Sequence, residues 1–225
     1  MQKDMFLQSE GDAWYERNAK TLTDKKLDAG KMYIQFIRDI TPPVKRVLEI
    51  GCGNGYRLEQ LHKEFGFEVY GLDPSEKALQ DGKERYAALN LFRGVANKLP
   101  FDANYFDVVI FGFCLSLCDR DDLFLIASEA DRVLSTPGRL ITLDFFSTIN
   151  YRNTYGHCQG LYSYKMDYSS MFLWHPSYAL VSHTSASHEG VAFHSSPNER
   201  LAFSVIAKLP ADKEMPTDPY ACPKT

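Results

Sequence analysis

Three glycines and one carboxylate are the residues whose types and spacing suit a specific chemistry. Gly51, Gly53 and Gly55 make a G-x-G-x-G turn directly after the apolar run 46–50, and Asp73 ends the next apolar run, 22 residues after Gly51. Only glycine allows backbone this tight and this open to a ligand. A helix that starts at such a turn brings free N–H groups and the positive end of its dipole to one place. A carboxylate at the tip of the second strand of a βαβ unit accepts hydrogen bonds from ribose, so the pattern predicts a nucleoside site.

The turn also discriminates between nucleoside ligands. Dinucleotide-binding folds use G-x-G-x-x-G to admit a pyrophosphate, whereas Gly55 is followed by Tyr56 and Arg57. Glu49, which precedes the turn, would repel a pyrophosphate and would accept a hydrogen bond from an amino group or a bound water. The pattern therefore favours a phosphate-free ligand over NAD or FAD. A strand-to-helix turn without any ligand is the third interpretation.

The motif E-I-G-C-G-N-G at residues 49–55 resembles the glycine-rich motif of class I S-adenosylmethionine-dependent methyltransferases. The resemblance covers roughly residues 44–209. The segments 14–18 and 160–168 are similar to a poorly characterised bacterial, type 11-like subgroup, which is associated with surface-polysaccharide or secondary-metabolite pathways. The resemblance implies S-adenosyl-L-methionine as cofactor. It implies the following cofactor-binding residues: Tyr15, Arg17, Glu49, Gly51, Cys52, Gly53, Asn54, Gly55, Asp73, Pro74, Val95, Ala96, Asn97, Gly112 and Phe113.

By this resemblance the glycines face the methionine end of the cofactor and Asp73 faces its ribose. The acidic residue that often holds the adenine amino group would fall at Val95, so the Ala96 N–H and the Asn97 side chain are expected to read the adenine edge. Tyr15 and Arg17 would meet the cofactor carboxylate from an N-terminal helix. The alternative for that helix is that its aromatic residues only anchor it.

Strands and helices alternate along the chain, which is typical of a parallel sheet with both faces covered. The fold class is α/β: a Rossmann-like, seven-stranded, mostly parallel sheet with a C-terminal antiparallel hairpin, N-terminal helices and an aromatic lid insertion after strand 5. The patterns predict strands at 46–50, 68–72, 91–95, 106–111, 139–145, 179–184 and 201–208, and helices at 12–20, 28–40, 56–65, 76–89 and 121–134.

The 225 residues are expected to form one methyltransferase domain. Its parts are an N-terminal helical cap (1–40), a cofactor-binding core (41–145), the lid insertion (146–178), a closing β-hairpin (179–209) and a loose tail (210–225).

The lid insertion carries six of the thirteen tyrosines. Within it, residues 161–169 alternate, with Tyr162, Tyr164 and Tyr168 on one face and polar residues such as Lys165 on the other. Aromatic faces with hydroxyl tips suit a sugar or a planar ring. The alternative is that the aromatics form the insertion's own small core, and both interpretations can hold together.

Methyl transfer from a sulfonium requires alignment of donor and acceptor and exclusion of water. An aliphatic hydroxyl acceptor also needs a general base. His157 is the first candidate, because histidine titrates near neutrality and this one lies in the lid beside Tyr155. Asp144, at the end of the fifth strand, and His175 are second choices. The predicted catalytic set is therefore His157, Tyr155 and Asp144.

Composition restricts the partners. A net charge of −4 without a basic cluster gives no reason to expect nucleic acid. We find no apolar run of membrane-spanning length and no signal-peptide pattern. Five cysteines without a C-x-x-C pair predict a reduced, cytoplasmic protein without a metal. The expected partner is a small-molecule acceptor, and a homodimer is left open.

The predicted function is methylation of a small molecule, with O-methylation of a sugar or another hydroxylated metabolite as the first hypothesis. C- or N-methylation of a quinone-like or amine acceptor is the alternative enzymatic hypothesis. A protein that binds S-adenosylmethionine without catalysis is the hypothesis from another class. The sequence names neither the acceptor, the methylated atom, the oligomeric state nor the role of the tail.

Overall fold

A computed structural model describes residues 1–22, 28–38, 40 and 43–210 of the chain. Parts of two sequence predictions lie outside these residues: residue 39 of the predicted helix 28–40, and the loose tail from 211 onward. No helix in the described residues is long and apolar enough to span a bilayer.

A seven-stranded sheet with the order β3-β2-β1-β4-β5-β9-β8 organises the molecule. Strands β1 to β5 are parallel, whereas β9 is antiparallel to both β5 and β8. This confirms the predicted fold class. The strands of the sheet are β1 Arg46–Ile50, β2 Glu68–Asp73, β3 Leu89–Arg93, β4 Phe106–Gly112, β5 Leu134–Phe145, β8 Tyr178–Ser187 and β9 Arg200–Lys208.

Helices cover both faces of the sheet. Side chains of α3 and α4 pack with Val47, Ile110 and Phe203 on one face, and α6 and α7 pack with Ile50, Phe111 and related residues on the other. Ser75 caps α5 by accepting a hydrogen bond from the Ala78 N–H at 3.0 Å. The helices are α1 Gln2–Met5, α2 Gly11–Asn18, α3 Ala29–Ile37, α4 Tyr56–Phe65, α5 Glu76–Arg85, α6 Leu123–Val133 and α7 Ser170–Leu173, and a π-helical stretch, Phe6–Glu10, joins α1 to α2.

Several predicted boundaries are wrong. The helix predicted to reach residue 89 ends at Arg85, and β3 begins at Leu89 rather than 91, because Leu89 pairs with Val69 of β2. Strand β5 begins at Leu134, which pairs with Phe106, rather than at 139. Tertiary pairing decides these ends, since an apolar residue at an element boundary satisfies either pattern.

The two remaining strands, β6 (Tyr151–Thr154) and β7 (Tyr162–Lys165), form a separate antiparallel hairpin, which we call the lid hairpin. Gln2 holds the N-terminus against it. The Gln2 side chain accepts a hydrogen bond from the Tyr162 N–H at 2.7 Å and donates one to the Leu117 carbonyl at 2.7 Å. The N-terminal helices, the loop after β4 and the lid hairpin are thereby joined above the sheet.

Candidate functional site

A cavity of about 650 Å³ lies at the carboxyl ends of β1, β2 and β4, under the N-terminal helices and the lid hairpin. Open α/β sheets bind their ligands at this edge, and the volume is in the range of small-molecule sites. Among the residues predicted from sequence, those that line it are Gly51, Cys52, Gly53, Asp73, Pro74, Val95, Ala96, Asn97, Gly112, Phe113, Tyr155 and His157.

The glycine turn is shaped by close packing on one side and open space on the other. Gly51 has φ +78°, and a Cβ there would lie 2.6 Å from the Cβ of Cys114. Gly53 has φ +57°, but a Cβ there would meet no atom within 4 Å. Gly53 therefore presents bare backbone to the cavity, and this is where a ligand can approach the chain most closely.

The carboxylate of Asp73 stands at the end of β2 beside this turn. One oxygen accepts a hydrogen bond from the Gly53 N–H at 2.8 Å, and the other accepts one from the Ser75 N–H at 2.9 Å. Burial raises the pKa of Asp73, and these two backbone donors oppose that effect. The carboxylate is therefore fixed in position while it lines the cavity, and each oxygen keeps a lone pair for a ligand hydroxyl.

Glu49 forms a buried ion pair behind the turn. Its Oε1 accepts hydrogen bonds from the Arg57 Nε at 2.6 Å and from the Tyr33 hydroxyl at 3.3 Å. Its Oε2 is buried and has no hydrogen-bond partner among the described residues. Glu49 does not line the cavity, but Arg57 and the neighbouring Gly112 do. An orphaned acceptor at this place suits a ligand that brings a donor, such as an amino group.

The segment after β3 supplies the opposite wall. Ala96 is buried, and the Asn97 side chain donates to the Asp122 carboxylate at 2.8 Å. Phe113, directly after β4, has φ +58°, which is rare for a residue with a side chain. Its N–H donates to the Leu143 carbonyl at 2.8 Å, which holds the strained residue against the cavity.

Five of the predicted cofactor-binding residues do not line the cavity. Tyr15 and Asn54 contact each other, with the Asn54 amide 3.4 Å from the Tyr15 hydroxyl, and burial raises the pKa of Tyr15 to about 12. Gly55 is packed against Leu89. Arg17 forms an ion pair with the buried Glu10. None of Tyr15, Arg17, Glu49, Asn54 and Gly55 lines the cavity.

Two of the three predicted catalytic residues, His157 and Tyr155, meet at the cavity, whereas Asp144 does not line it. His157 is exposed at the cavity rim, with its ring 5.5 Å from that of Tyr155. Tyr155 donates its hydroxyl to Glu10 at 3.0 Å, and burial with this contact raises its pKa to about 12. Asp144 is 2% exposed, accepts from the N–H groups of Ser116 and Phe145, and does not line the cavity. His175 also lies away from it.

The orientation of the lid hairpin differs from the sequence interpretation. Of the six lid tyrosines, Tyr155 alone lines the described cavity. Arg120 lies over the ring of Tyr164 at 4.2 Å, and Arg152 lies over that of Tyr162 at 4.1 Å. The polar face of β7, with Ser163 and Lys165, lines the cavity instead. Tyr162 and Tyr164 pack against arginines, and Tyr168 and Tyr178 belong to the hydrophobic core, so these tyrosines do not form an aromatic platform for the acceptor.

Sequence reasoning missed several lining residues. Lys3 and Phe6 precede the first predicted helix, which the sequence places at 12–20. Lys165 lies on the polar face of 161–169, opposite the tyrosines that the sequence interpretation turns toward the acceptor. The alternation along residues 161–169 is the signal that separates Lys165 from the tyrosines, but alternation does not say which face is inside.

Residues 47–138 match the model of a methyltransferase domain family. The match covers fewer than half of the 225 residues and shows that this part of the chain is similar to a methyltransferase domain. The glycine turn and the sheet order agree with the resemblance to class I S-adenosylmethionine-dependent methyltransferases. S-adenosyl-L-methionine is the methyl donor of this class. Two lining features fit it: Gly53 offers open backbone and Asp73 an oriented carboxylate. Behind the wall, the buried Glu49 Oε2 has no hydrogen-bond partner among the described residues.

Relatives agree with this class. A demethylmenaquinone methyltransferase of Staphylococcus aureus is 36% identical over 104 residues, which are 44% of this chain and 42% of that protein. The chain thus matches less than half the length of this curated relative. The solved structure of a 1,6-didemethyltoxoflavin-N1-methyltransferase from Burkholderia thailandensis, with S-adenosylhomocysteine bound, has a TM-score of 0.70 at 15% identity, over 92% of this chain and 89% of that one.

The same architecture also serves a different reaction. The [4+2]-cyclase SpnF has a TM-score of 0.65 at 14% identity, over 88% of this chain and 94% of that one. Likeness of fold at this identity therefore does not decide the chemistry, which must be argued from the cavity.

Proposed function

We propose that the protein transfers a methyl group from S-adenosylmethionine to a small molecule that enters under the lid hairpin. The observation that carries this proposal is the pair formed by Gly53 and Asp73: bare backbone and a fixed carboxylate share one end of a cavity whose other end is free for an acceptor. The cofactor supplies an electrophilic methyl group on a sulfonium.

The residues of this chain bind, orient and exclude water. Gly51, Gly53 and Arg57 would hold the amino-acid part of the cofactor, Asp73 its ribose, and the segment 95–97 its adenine. The lid hairpin and the N-terminal helices cover the cavity, linked through Tyr155 and Glu10. Alignment in such a closed site supplies up to about 7–11 kcal/mol of barrier reduction, which suits a donor that is already reactive.

For the acceptor we propose a hydroxylated metabolite and O-methylation, with His157 as the base. The polar inner face of the lid hairpin, with Asn153 and Ser163, and the neighbouring Asn198 line the cavity, which supports a polar acceptor over an apolar one. A sugar remains within this proposal. C- or N-methylation of a quinone-like or amine acceptor is the second candidate, because similar proteins include a demethylmenaquinone methyltransferase and an N-methyltransferase. Nucleic acid is not the acceptor that we propose.

Calorimetry with S-adenosylmethionine and S-adenosylhomocysteine tests the binding part, and release of S-adenosylhomocysteine in the presence of a metabolite pool tests the transfer. Micromolar binding of both with acceptor-dependent release is the expected result. Binding without release from any pool would favour a non-catalytic protein, and absence of binding would overturn the proposal.

A further inference from the structure

Lys165 is an unusual lysine, because it is only 4% exposed and lines the cavity. Its ammonium lies 2.8 Å from the centre of the Phe145 ring, a cation–π contact that holds it in place. The Lys165 ammonium makes no hydrogen bond, and no ion pair within 4.0 Å, with any residue that the structure describes.

The other two Lys and Arg side chains that line the described cavity are neutralised. Lys3 pairs with Asp122 at 2.8 Å, and Arg57 pairs with Glu49 at 2.6 Å. The carboxylate of Asp144 lies behind Lys165 but accepts its hydrogen bonds from Ser116 and Phe145. Lys165 is therefore the one lining Lys or Arg, within the residues described, without an ion pair within 4.0 Å, since Asp144 and Glu199 act on its charge only at longer range.

A second unsatisfied group lies on the same face of β7. The Ser163 hydroxyl oxygen is buried without a hydrogen-bond partner, and Ser163 lines the cavity two residues before Lys165. Successive side chains of a strand alternate between faces, so residues two apart point to the same side. A buried cation and a buried hydroxyl without partners are both unfavourable unless a ligand completes them.

The position of this pair separates it from the nucleoside end of the cavity. Lys165 contacts Phe145 at the end of β5, whereas Asp73 ends β2, and the sheet order puts three strand spacings between β2 and β5. At about 4.8 Å per spacing this is roughly 14 Å. A group at Lys165 therefore lies on the acceptor side of the site.

We propose that Lys165, with Ser163, binds an anionic oxygen of the acceptor, so that the substrate is a hydroxylated carboxylic acid. This inference rests on the proposed methyltransferase function and adds the acceptor class to it. The ammonium pairs with the carboxylate, and the Ser163 hydroxyl donates a second hydrogen bond. Such a charge-assisted pair is stronger than neutral hydrogen bonds, and it fixes the orientation of the acceptor toward the donor.

Matched pairs of acids and methyl esters test the proposal in the presence of saturating S-adenosylhomocysteine. The probes are D-glucuronate, D-galacturonate, 4-hydroxybenzoate and caffeate, each compared with its methyl ester by calorimetry and ligand-observed NMR. We expect at least one acid to bind tenfold or more tightly than its ester. Lys165→Met should abolish that preference, and Lys165→Arg should keep most of it. Lys63→Met, at an exposed position of α4 away from the cavity, should leave it unchanged.

Equal affinity for acid and ester throughout the panel, including no measurable binding of either, overturns the proposal. Affinity for S-adenosylhomocysteine is measured separately on each variant, together with its melting temperature. A tenfold or larger loss of that affinity in a folded Lys165→Met protein would show that Lys165 binds the carboxylate of the cofactor, which also overturns the proposal. Failure of wild-type protein to bind S-adenosylhomocysteine would instead overturn the proposed function.

Discussion

The two ends of the cavity are built in different ways. At the β1–β2 end the wall is built around backbone: a turn whose glycines have positive φ, held to the Asp73 carboxylate by the Gly53 N–H. At the β5 and lid end the wall consists of side chains from distant parts of the chain, such as Lys165 and Glu199. The first end is defined by chain geometry and suits a constant ligand. The second end can change by substitution without disturbing the sheet, which is how one fold serves many acceptors.

The largest expected effect is at the backbone end. In the wild type, the two carboxylate oxygens of Asp73 accept hydrogen bonds from the N–H groups of Gly53 and Ser75. Asp73→Asn replaces one of these oxygens by an amide NH2, which donates and cannot accept, and removes the negative charge. Hydrogen bonds to a charged group contribute about 1.5–3 kcal/mol, so we expect affinity for S-adenosylmethionine to fall about a hundredfold in calorimetry. Asp12→Asn, nearby but outside the cavity lining, is the control and should bind normally. Normal affinity in the Asp73 variant would refute a ribose contact.

A second variant separates binding from folding at the same turn. Gly53→Ala puts a methyl group into the cavity, where a Cβ meets nothing within 4 Å. Gly66→Ala puts a methyl group into equally open space at the end of α4, away from the cavity. Both residues have positive φ, so both changes should destabilise the protein by roughly 1–2 kcal/mol. We expect only Gly53→Ala to lose cofactor affinity, by about thirtyfold. Similar affinities in the two variants would show that no ligand approaches Gly53.

The lid end should respond in turnover rather than in cofactor affinity. His157 is at the rim, where water can partly replace a lost base, so His157→Ala should lower turnover about tenfold, below the usual range for general bases of about 10²–10⁴. Cofactor affinity should remain unchanged. His175→Ala, away from the cavity, is the matched control. Equal losses of turnover and affinity, or no loss in either, would remove His157 from the catalytic role.

The smallest effect concerns stability. Burial lowers the pKa of Lys165 to about 8 from its ordinary 10.5, although Asp144 and Glu199 favour its charge. Between pH 8 and 10.5 the unfolded chain therefore holds a proton that the folded chain has lost, and the stability of the wild type should rise with pH in that window. Lys165→Met should be more stable at pH 7 by about 1 kcal/mol, or roughly 2–4 °C.

Thermal unfolding between pH 7 and 10 measures this difference, which should shrink as pH rises. A variant that is less stable than wild type at pH 7 would mean that the Phe145 contact outweighs the burial of the ammonium. Together with the acid–ester comparison, this result would show whether the lid end exchanges stability for acceptor binding.

The sequence by itself determined the sheet, the glycine turn and the position of Asp73. These depend on local patterns: apolar runs of strand length, glycines at positive φ, and a carboxylate one strand further along. The boundaries of β3 and β5 were less accessible, because Leu89 and Leu134 fit a helix end as well as a strand start until their partners are known.

Only the tertiary structure decided what surrounds the acceptor. Alternation in 161–169 separates two faces of β7. The contacts of Arg120 with Tyr164 and of Arg152 with Tyr162 hold these rings away from the cavity, and Lys165 lines it. Likewise, Tyr155 contacts the Glu10–Arg17 ion pair, although it lies more than a hundred positions later in the chain. Such long-range pairs depend on how separate elements pack, and no local period in the chain records that packing.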